Sequence, residues 1–343
     1  MGVELKFIHT ADTHLGFEVI RTAPADDAGR QRRARSVFDN FNAVVEHALA
    51  VEADLFIHSG DLFNKYYIPR DRLDELISPF DTLARAGVPV VIIPGNHERS
   101  EFPFDLFHGM RGIYVMDRPK SLRLTLNGYS VGIAGFPFIK EDARRTFLSA
   151  LEATEYAGLR SDFNILVTHQ AFDEALVGPV GFRFKAGRPD TISRATVPVD
   201  FDYVAAGHIH RYQALPHPHR PGLSFVYPGS TQRMSFAEVN EDKGFVEGEV
   251  IHDRIETRFI PLRAWAMEIV EIEAAGRTPK EIENAIRDRF RRFNQDLVIR
   301  FNLVGGSVAR DYPEIDFHRL RAEMPDVLEC QFAMKARRRW IHK

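Results

Sequence analysis

Short runs of β-branched and apolar residues alternate, through the first 261 positions, with stretches whose apolar residues recur every three or four places. The runs at 5–10, 54–59, 88–94, 165–167 and 203–206 predict short buried strands. Between them, Val37, Phe38, Phe41, Val44, Val45 and Ala48 keep helical spacing and predict a helix over 34–51. A second helix is expected at 70–86, opened by Pro69 and closed by Gly87. These are β-α-β units. The pattern then changes: 122–126 and 130–136 flank Asn127-Gly128, the dipeptide that a type I′ hairpin turn prefers, and further strands follow at 225–227, 245–251 and 255–261. The simplest architecture is α/β, a four-layer α-β-β-α sandwich.

After Arg263 the pattern restarts, with strand 268–272, helix 278–293, strand 298–303, a short helix at 317–323 and strand 328–334. Thr278-Pro279-Lys280-Glu281 supplies an N-cap, a first-turn proline and a capping-box glutamate. This predicts a small α+β domain over 262–343 after a large one over 1–261. Two polar, Arg-rich stretches, 21–33 and 173–198, read as long loops and are candidates for substrate contact.

At 343 residues two domains are the natural expectation, and no uninterrupted apolar stretch is long enough for a membrane span. The start of the chain has no apolar signal-like core, so the cytoplasm is the default compartment. With Cys330 as the lone cysteine, an intrachain disulfide and a cysteine-based zinc site are excluded, and Cys330 itself reads as an apolar position. The net charge of −3 divides into −6 for 1–261 and +3 for 262–343, a modest basic excess that could help hold a polyanion.

The candidate chemistry lies just beyond the predicted strands. Asp12-Thr13-His14, Gly60-Asp61, Gly95-Asn96-His97-Glu98, His169 and Gly207-His208-Ile209-His210 each follow an apolar run, where loops can aim them into one cleft. Together they suggest a two-metal hydrolase acting on phosphate esters. Asp61 is the candidate bridging carboxylate. Asp12 and His14, in strand-like alternation, would grip one ion together; His208 and His210 repeat that spacing, Asn96 offers a carbonyl oxygen and His169 an imidazole. A mixed N/O donor set suits Mn²⁺, Fe²⁺ or Zn²⁺ better than Mg²⁺ or Ca²⁺. His97 is the candidate proton donor to the leaving oxygen, and Glu98 has no assigned task. His9 and His58, inside apolar strands, read as core or as partners of ligands.

With these residues the chain resembles the calcineurin-like metallophosphoesterases, and within them the Mre-eleven (meiotic recombination eleven)/SbcD DNA-repair nucleases. The narrower likeness rests on His9-Thr10-Ala11-Asp12-Thr13-His14-Leu15-Gly16, Ser59-Gly60-Asp61-Leu62-Phe63, Thr168-His169-Gln170, Tyr227-Pro228-Gly229-Ser230 and Lys243-Gly244-Phe245. The resemblance implies one ion held by Asp12, His14, Asp61 and His210, and another by Asp61, Asn96, His169 and His208. It implies a DNA-capping role for the small domain, and a Mn²⁺-dependent exonuclease and single-strand endonuclease that acts at double-strand breaks. Such enzymes work as homodimers with an SMC-like ATPase of the SbcC type.

Two departures bear on this. Asn64 stands where these nucleases carry a second active-site histidine, and the chain ends at Lys343 without an evident further helical segment for gripping the ATPase. An amide cannot act as an acid, so Asn64 limits the expectation for duplex degradation. The terminal Ala336-Arg337-Arg338-Arg339-Trp340 is read as a solvated tail able to touch phosphates. Three alternatives are a protein-phosphatase-like monoesterase, a cyclic-nucleotide diesterase, and a DNA-end-binding scaffold with weak nuclease activity. The first is disfavoured because Gly60-Asp61-Leu62-Phe63-Asn64-Lys65-Tyr66 and Pro94-Gly95-Asn96-His97-Glu98 lack the arginines of GDxxDRG and RGNHE.

Overall fold

A computed structural model of the chain describes residues 3–17, 27–64, 70–98, 106–107, 109–179, 181–185, 187–252, 254–293, 296–305, 314–325 and 327–335. It divides into two compact units: Met1–Phe17, Ala34–Arg233 and Asn240–Ala264 in one, Glu18–Arg33, Met234–Val239 and Trp265–Lys343 in the other.

The larger unit opens with β1 (Leu5–Thr10), α1 (Asp27–Ala50, of which the part from Ala34 onward belongs to this unit), β2 (Leu55–His58), α2 (Arg70–Arg85), β3 (Val90–Ile92) and β4 (Ile113–Val115). It continues through β5 (Lys120–Leu126), β6 (Tyr129–Gly135), α3 (Ala143–Glu152), β7 (Phe163–Thr168), β8 (Leu176–Val177) and β9 (Phe182–Arg183). Five strands complete it: β10 (Tyr203–Ala206), β11 (Gln213–Pro216), β12 (Ser224–Tyr227), β13 (Gly244–Ile251) and β14 (Arg254–Pro261). Two six-stranded sheets result, ordered β14-β13-β1-β2-β3-β4 and β11-β12-β10-β7-β6-β5.

Alternation along the strands explains the layers. Phe7, Leu55, Ile57 and Val91 of the first sheet share one buried cluster with Ile133, Ile165, Val167, Tyr203 and Val226 of the second, so these faces oppose each other. On the outer face of the first sheet Phe56 meets Phe41 of α1, which in turn packs on Phe80 of α2. The outer face of the second buries Leu166, Val204 and Phe225 with Phe147 and Leu151 of α3. The four-layer sandwich is therefore present. Strands β1 to β4 pair in parallel, as do β6, β7, β10 and β12, which puts their carboxyl ends along common edges. Ligands of open α/β sheets gather at such edges.

The expected hairpin is β5–β6, where Asn127 (φ 51°) and Gly128 (φ 84°) carry the two left-handed conformations of a type I′ turn. Helix α1 starts well before the first apolar position of its periodic stretch, because Gln31, Arg32, Arg33 and Ala34 are strong helix formers. Of the loop expected at 21–33, residues 27–33 are thus helical and the rest lies outside the described residues, as does the tail 336–343. The stretch 173–198 carries the short hairpin β8–β9 and a backbone tie from Asp173 N–H to Ile192 O, 2.9 Å.

The second unit holds β15 (Ala266–Glu273), α4 (Pro279–Phe290), β16 (Leu297–Val304), α5 (Phe317–Glu323) and β17 (Glu329–Lys335), with a parallel sheet ordered β15-β16-β17. The capping box at Thr278 and Glu281 forms in both directions. Val270, Ile272, Ile299, Phe301 and Leu303 face Ile282, Ile286 and Leu320 of the helices, and Cys330 packs half-buried against them.

His9 and His58 lie fully buried in β1 and β2. Burial, then the neighbouring imidazole, holds each down to about 3 against an ordinary 6.5. Above 6.5 both folded and unfolded chains carry them neutral. Below it the unfolded chain takes up protons that the folded one refuses, so stability falls with pH. In metal-free protein each histidine contributes a slope that rises from about 0.7 kcal/mol per pH unit at pH 6.5 toward about 1.4 near pH 5, read from urea unfolding as the difference between the parent and a variant with that histidine replaced by phenylalanine. A parent profile no steeper than that of either variant across that window would contradict the burial of two neutral rings, since the opposite-signed contribution of Glu98 is common to all three.

Candidate metal centre

The loops leaving β1 and β2 run side by side, with Asp12 N–H bonded to Gly60 O (3.0 Å), His14 N–H to Asp61 O (3.0 Å) and Leu15 N–H to Leu62 O (2.8 Å). Asp12 (φ 51°), His14 (φ 48°), Asp61 (φ 53°) and His208 (φ 86°) all adopt left-handed backbone. Asp12 and His14 therefore do not alternate as strand residues, contrary to the expectation from their spacing. β1 ends at Thr10, and two left-handed steps turn both side chains inward instead. Such conformations cost about 1–3 kcal/mol each and are characteristic of functional sites.

Asp61 sits at the centre, 2% exposed. Its Oδ1 accepts the His97 backbone N–H at 2.8 Å, and its Oδ2 lies 3.3 Å from His169 Nε2, 3.9 Å from His97 Nε2 and 4.0 Å from His14 Nε2. On one side His14 Nε2 is 3.1 Å from His210 Nε2, and Asp12 Oδ1 is 3.7 Å from the same His210 atom. On the other, Asn96 Oδ1 is 2.8 Å from His208 Nδ1 and 3.2 Å from His169 Nε2. Asp12 accepts the His208 backbone N–H at 3.2 and 3.1 Å, which joins the two sides. Asp12 with His14 and His210, Asp61 with His14 and His97, and Asp12 with Asp61 and His169 each bring ligand atoms within 4.8 Å of one another. All seven residues expected as ligands are thus gathered here, with His97 beside them.

Two motif glycines permit this closeness. A Cβ on Gly95 would strike the Asp61 carboxylate and backbone nitrogen, and one on Gly207 would strike Ser59 O and His169 Nδ1. Even alanine would force these loops apart.

Hydrogen bonding fixes which atoms face the cluster. His169 Nδ1–H donates to Ser59 O at 2.7 Å, so Nε2 points its lone pair at the oxygens of Asp61 and Asn96. A lone pair facing two oxygens is tolerable only with a proton or a cation between them. Without metal, burial disfavours the proton, but the carboxylates of Asp61 and Asp12 outweigh it and push His169 up to about 9. Burial would raise Asp61, yet His169, His14 and His97 hold it well below the ordinary carboxylate range. Asp12 is raised, chiefly by burial. An imidazole that donates one nitrogen to a backbone carbonyl and presents the other to carboxylates is arranged as metal-binding histidines are, so this donor set fits divalent cations.

His97 is 39% exposed at its side chain, and its Nδ1–H donates to the Asn64 backbone carbonyl at 3.3 Å. Asn64 therefore orients His97 through its main chain, a contact independent of its side-chain identity. Glu98, unassigned from sequence, is 1% exposed and accepts the backbone N–H groups of Phe63 (2.8 Å) and Gly95 (2.6 Å). It clamps together the loops after β2 and β3. Burial, then Asp61, pushes its carboxyl up to about 8.

Two other neighbours carry roles that sequence reasoning did not assign: Phe138, which it passed over, and Lys243, which it named only as part of a motif. Phe138, whose N–H bonds Pro94 O at 3.0 Å, packs its ring 5.5 Å from His208 and 6.0 Å from His169. Lys243, 1% exposed, donates to His210 O at 2.8 Å and Glu241 Oε2 at 3.2 Å. The position of Phe138 just past a strand end was the available signal, but an aromatic there reads as ordinary core.

Two opposed sheets whose parallel strands deliver carboxylate, amide and imidazole donors to one edge define a metal-centred phosphoesterase scaffold. A family model for calcineurin-like phosphoesterases matches residues 5–212, and the chain belongs to that family, which uses a dinuclear metal site. The chain is 26% identical over 294 residues to the DNA double-strand break repair protein Mre11 of Archaeoglobus fulgidus, covering 82% of this chain and 62% of that one. Its identity to the protein of the same name from Haloferax volcanii is 29% over 306 residues, covering 88% and 61%. To the D subunit of the nuclease SbcCD from Staphylococcus saprophyticus it is 25% over 323 residues, covering 87% and 78%. The chain thus spans less than two thirds of the length of the two archaeal relatives.

Proposed function

We propose that this chain is a Mn²⁺-dependent nuclease that hydrolyses phosphodiester bonds at DNA ends and in single strands during double-strand break repair. The observation that carries this is the gathering of Asp12, His14, His169 and His210 about Asp61, with Asn96 and His208 bonded onto the same cluster, in a chain whose relatives bear break-repair and nuclease names. Asp12, His14, Asp61 and His210 would hold one cation, and Asp61, Asn96, His169 and His208 the other. Asp61 would be the carboxylate shared between the two, held in place by the His97 N–H on its Oδ1. Bound there, a pair of divalent cations supplies Lewis-acid stabilisation of the phosphoryl oxygens and a water of lowered pKa.

The chain's own groups do the rest. His97, with Nδ1–H committed to Asn64 O, holds and releases its proton at Nε2, where a departing sugar oxygen can receive it. Glu98 keeps the Asp61 and Asn96 loops in register, and Phe138 shields the His169 and His208 rings from water. The small unit is assigned to orienting DNA, and the partners expected by resemblance are an SMC-like ATPase of the SbcC type and a second copy of this chain. Among the described residues no helix is long and apolar enough to cross a membrane, and a DNA substrate agrees with a cytoplasmic site of action.

The test is a single-turnover assay on end-labelled single-stranded, hairpin and duplex DNA, with Mn²⁺ and with chelator. Cleavage of the single-stranded and hairpin substrates only when Mn²⁺ is present is the expected outcome. DNA binding without metal-dependent product would instead make the chain an end-binding scaffold.

A further inference from the structure

Three polar side chains interrupt the apolar interior between the two sheets. Tyr203 on β10 and His9 on β1 belong to different sheets, and the Tyr203 hydroxyl lies 2.9 Å from His9 Nδ1. His9 Nε2 lies 2.8 Å from Ser59 Oγ, immediately past β2. Ser59 O then accepts His169 Nδ1–H at 2.7 Å, which returns the chain of bonds to the second sheet just past β7. Tyr203, His9, Ser59 and His169 are all 0% exposed.

Every polar atom of Ser59 is engaged. Its N–H bonds Thr10 O at 3.0 Å, its hydroxyl meets His9, and its carbonyl meets His169. Gly207 closes the remaining side, since a Cβ there would overlap both Ser59 O and His169 Nδ1. His9 is kept neutral by burial, so it carries one N–H and one lone pair and can link a phenol to a serine hydroxyl in either polarity.

Around these groups the interior is Phe7, Ile57, Ile165 and Val167, and a same-shape apolar set would serve packing about as well. A phenol, an imidazole and a hydroxyl linked to the residue whose backbone carbonyl holds His169 are hard to explain by packing alone: the carbonyl bond itself is main-chain, and the hydroxyl fixes the Ser59 backbone that presents it. We propose that Tyr203, His9 and Ser59 form a buried positioning tie that sets the ring orientation of His169, so that its Nε2 stays aimed at Asp61 and Asn96. The role for metal rests on the proposed function, in which His169 is a ligand; the orientation of the ring does not.

Tyr203→Phe removes one hydroxyl and keeps the ring, and Ser59→Ala removes the other hydroxyl. Two readouts separate the tie from the ligand assignment. In metal-free protein, imidazole NMR follows the His169 Nδ1–H. The tie predicts a slowly exchanging signal in the parent that shifts and exchanges faster in either variant. In Mn²⁺ titrations, each variant binds about 10-fold more weakly, and the double variant is no weaker than about 3-fold below the worse single one, because both cut the same chain.

An unchanged His169 signal overturns the tie, as does a lower melting temperature with Mn²⁺ affinity intact, or losses that multiply in the double variant. A parent that binds no Mn²⁺ but whose His169 signal still shifts in the variants upholds the tie and removes only the ligand assignment.

Discussion

For the proposed Mn²⁺-dependent DNA cleavage, the expected effect of Asp61→Asn is a loss of at least ~10³-fold, beyond the 10–100-fold typical of residues that merely support ligands. The two side chains have nearly the same shape, so the substitution isolates charge. The asparagine oxygen could still accept the His97 N–H that Oδ1 now takes at 2.8 Å. At the Oδ2 position, however, an amide nitrogen would point two N–H groups at the place where His169, His97 and His14 converge within 3.3, 3.9 and 4.0 Å. A carboxylate oxygen that faces both halves of the donor set would be lost, and with it the larger of the two anionic influences that keep His169 pushed up to about 9. The variant should keep its circular dichroism and lose Mn²⁺ binding. Cleavage within 10-fold of the parent would count against a metal pair here.

The second large effect belongs to the smaller unit. Arg33 (1% exposed) pairs with Glu329 (7% exposed) and lies with its guanidinium 5.0 Å from the centre of the Trp265 ring. Gln331 Nε2 donates to Glu329 Oε1 at 2.5 Å, and Gln331 Oε1 accepts from Arg300 at 3.1 and 2.7 Å. Burial pulls the Arg33 guanidinium down and Glu329 offsets it. Glu329→Ala therefore removes a carboxylate paired with a buried cation, and the expected loss is about 3 kcal/mol in urea unfolding. An apolar pair, Arg33→Met with Glu329→Leu, should recover most of that loss, since buried ion pairs rarely outdo apolar packing. A loss under about 1 kcal/mol for Glu329→Ala would mean that water reaches Arg33.

How far the sequence could be read depended on the range of the interaction. The strand runs, the Asn127-Gly128 turn and the Thr278 capping box are local, and each reappears in the structure. The convergence of the motif loops was legible because parallel strands place successive loops on one edge. The conformation of those loops was not: a spacing of two between Asp12 and His14 suggested extended backbone, and left-handed turns give the same spacing another way. Contacts such as His9 with Tyr203, or Arg33 with Glu329, join residues far apart in the chain and leave no periodic trace. Glu98 shows the same limit, because its two partners lie on separate loops.

The Asn64 departure also takes on a narrower meaning. The contact made there to His97 comes from the backbone carbonyl, so the substitution leaves the orientation of that histidine intact.

The most direct measurement is anomalous diffraction at the manganese edge from crystals soaked in Mn²⁺. Two peaks about 3.5–4 Å apart, both in contact with the Asp61 carboxylate, are the predicted result. A single peak, or a pair bound away from Asp61, would contradict a bridged metal pair at this site.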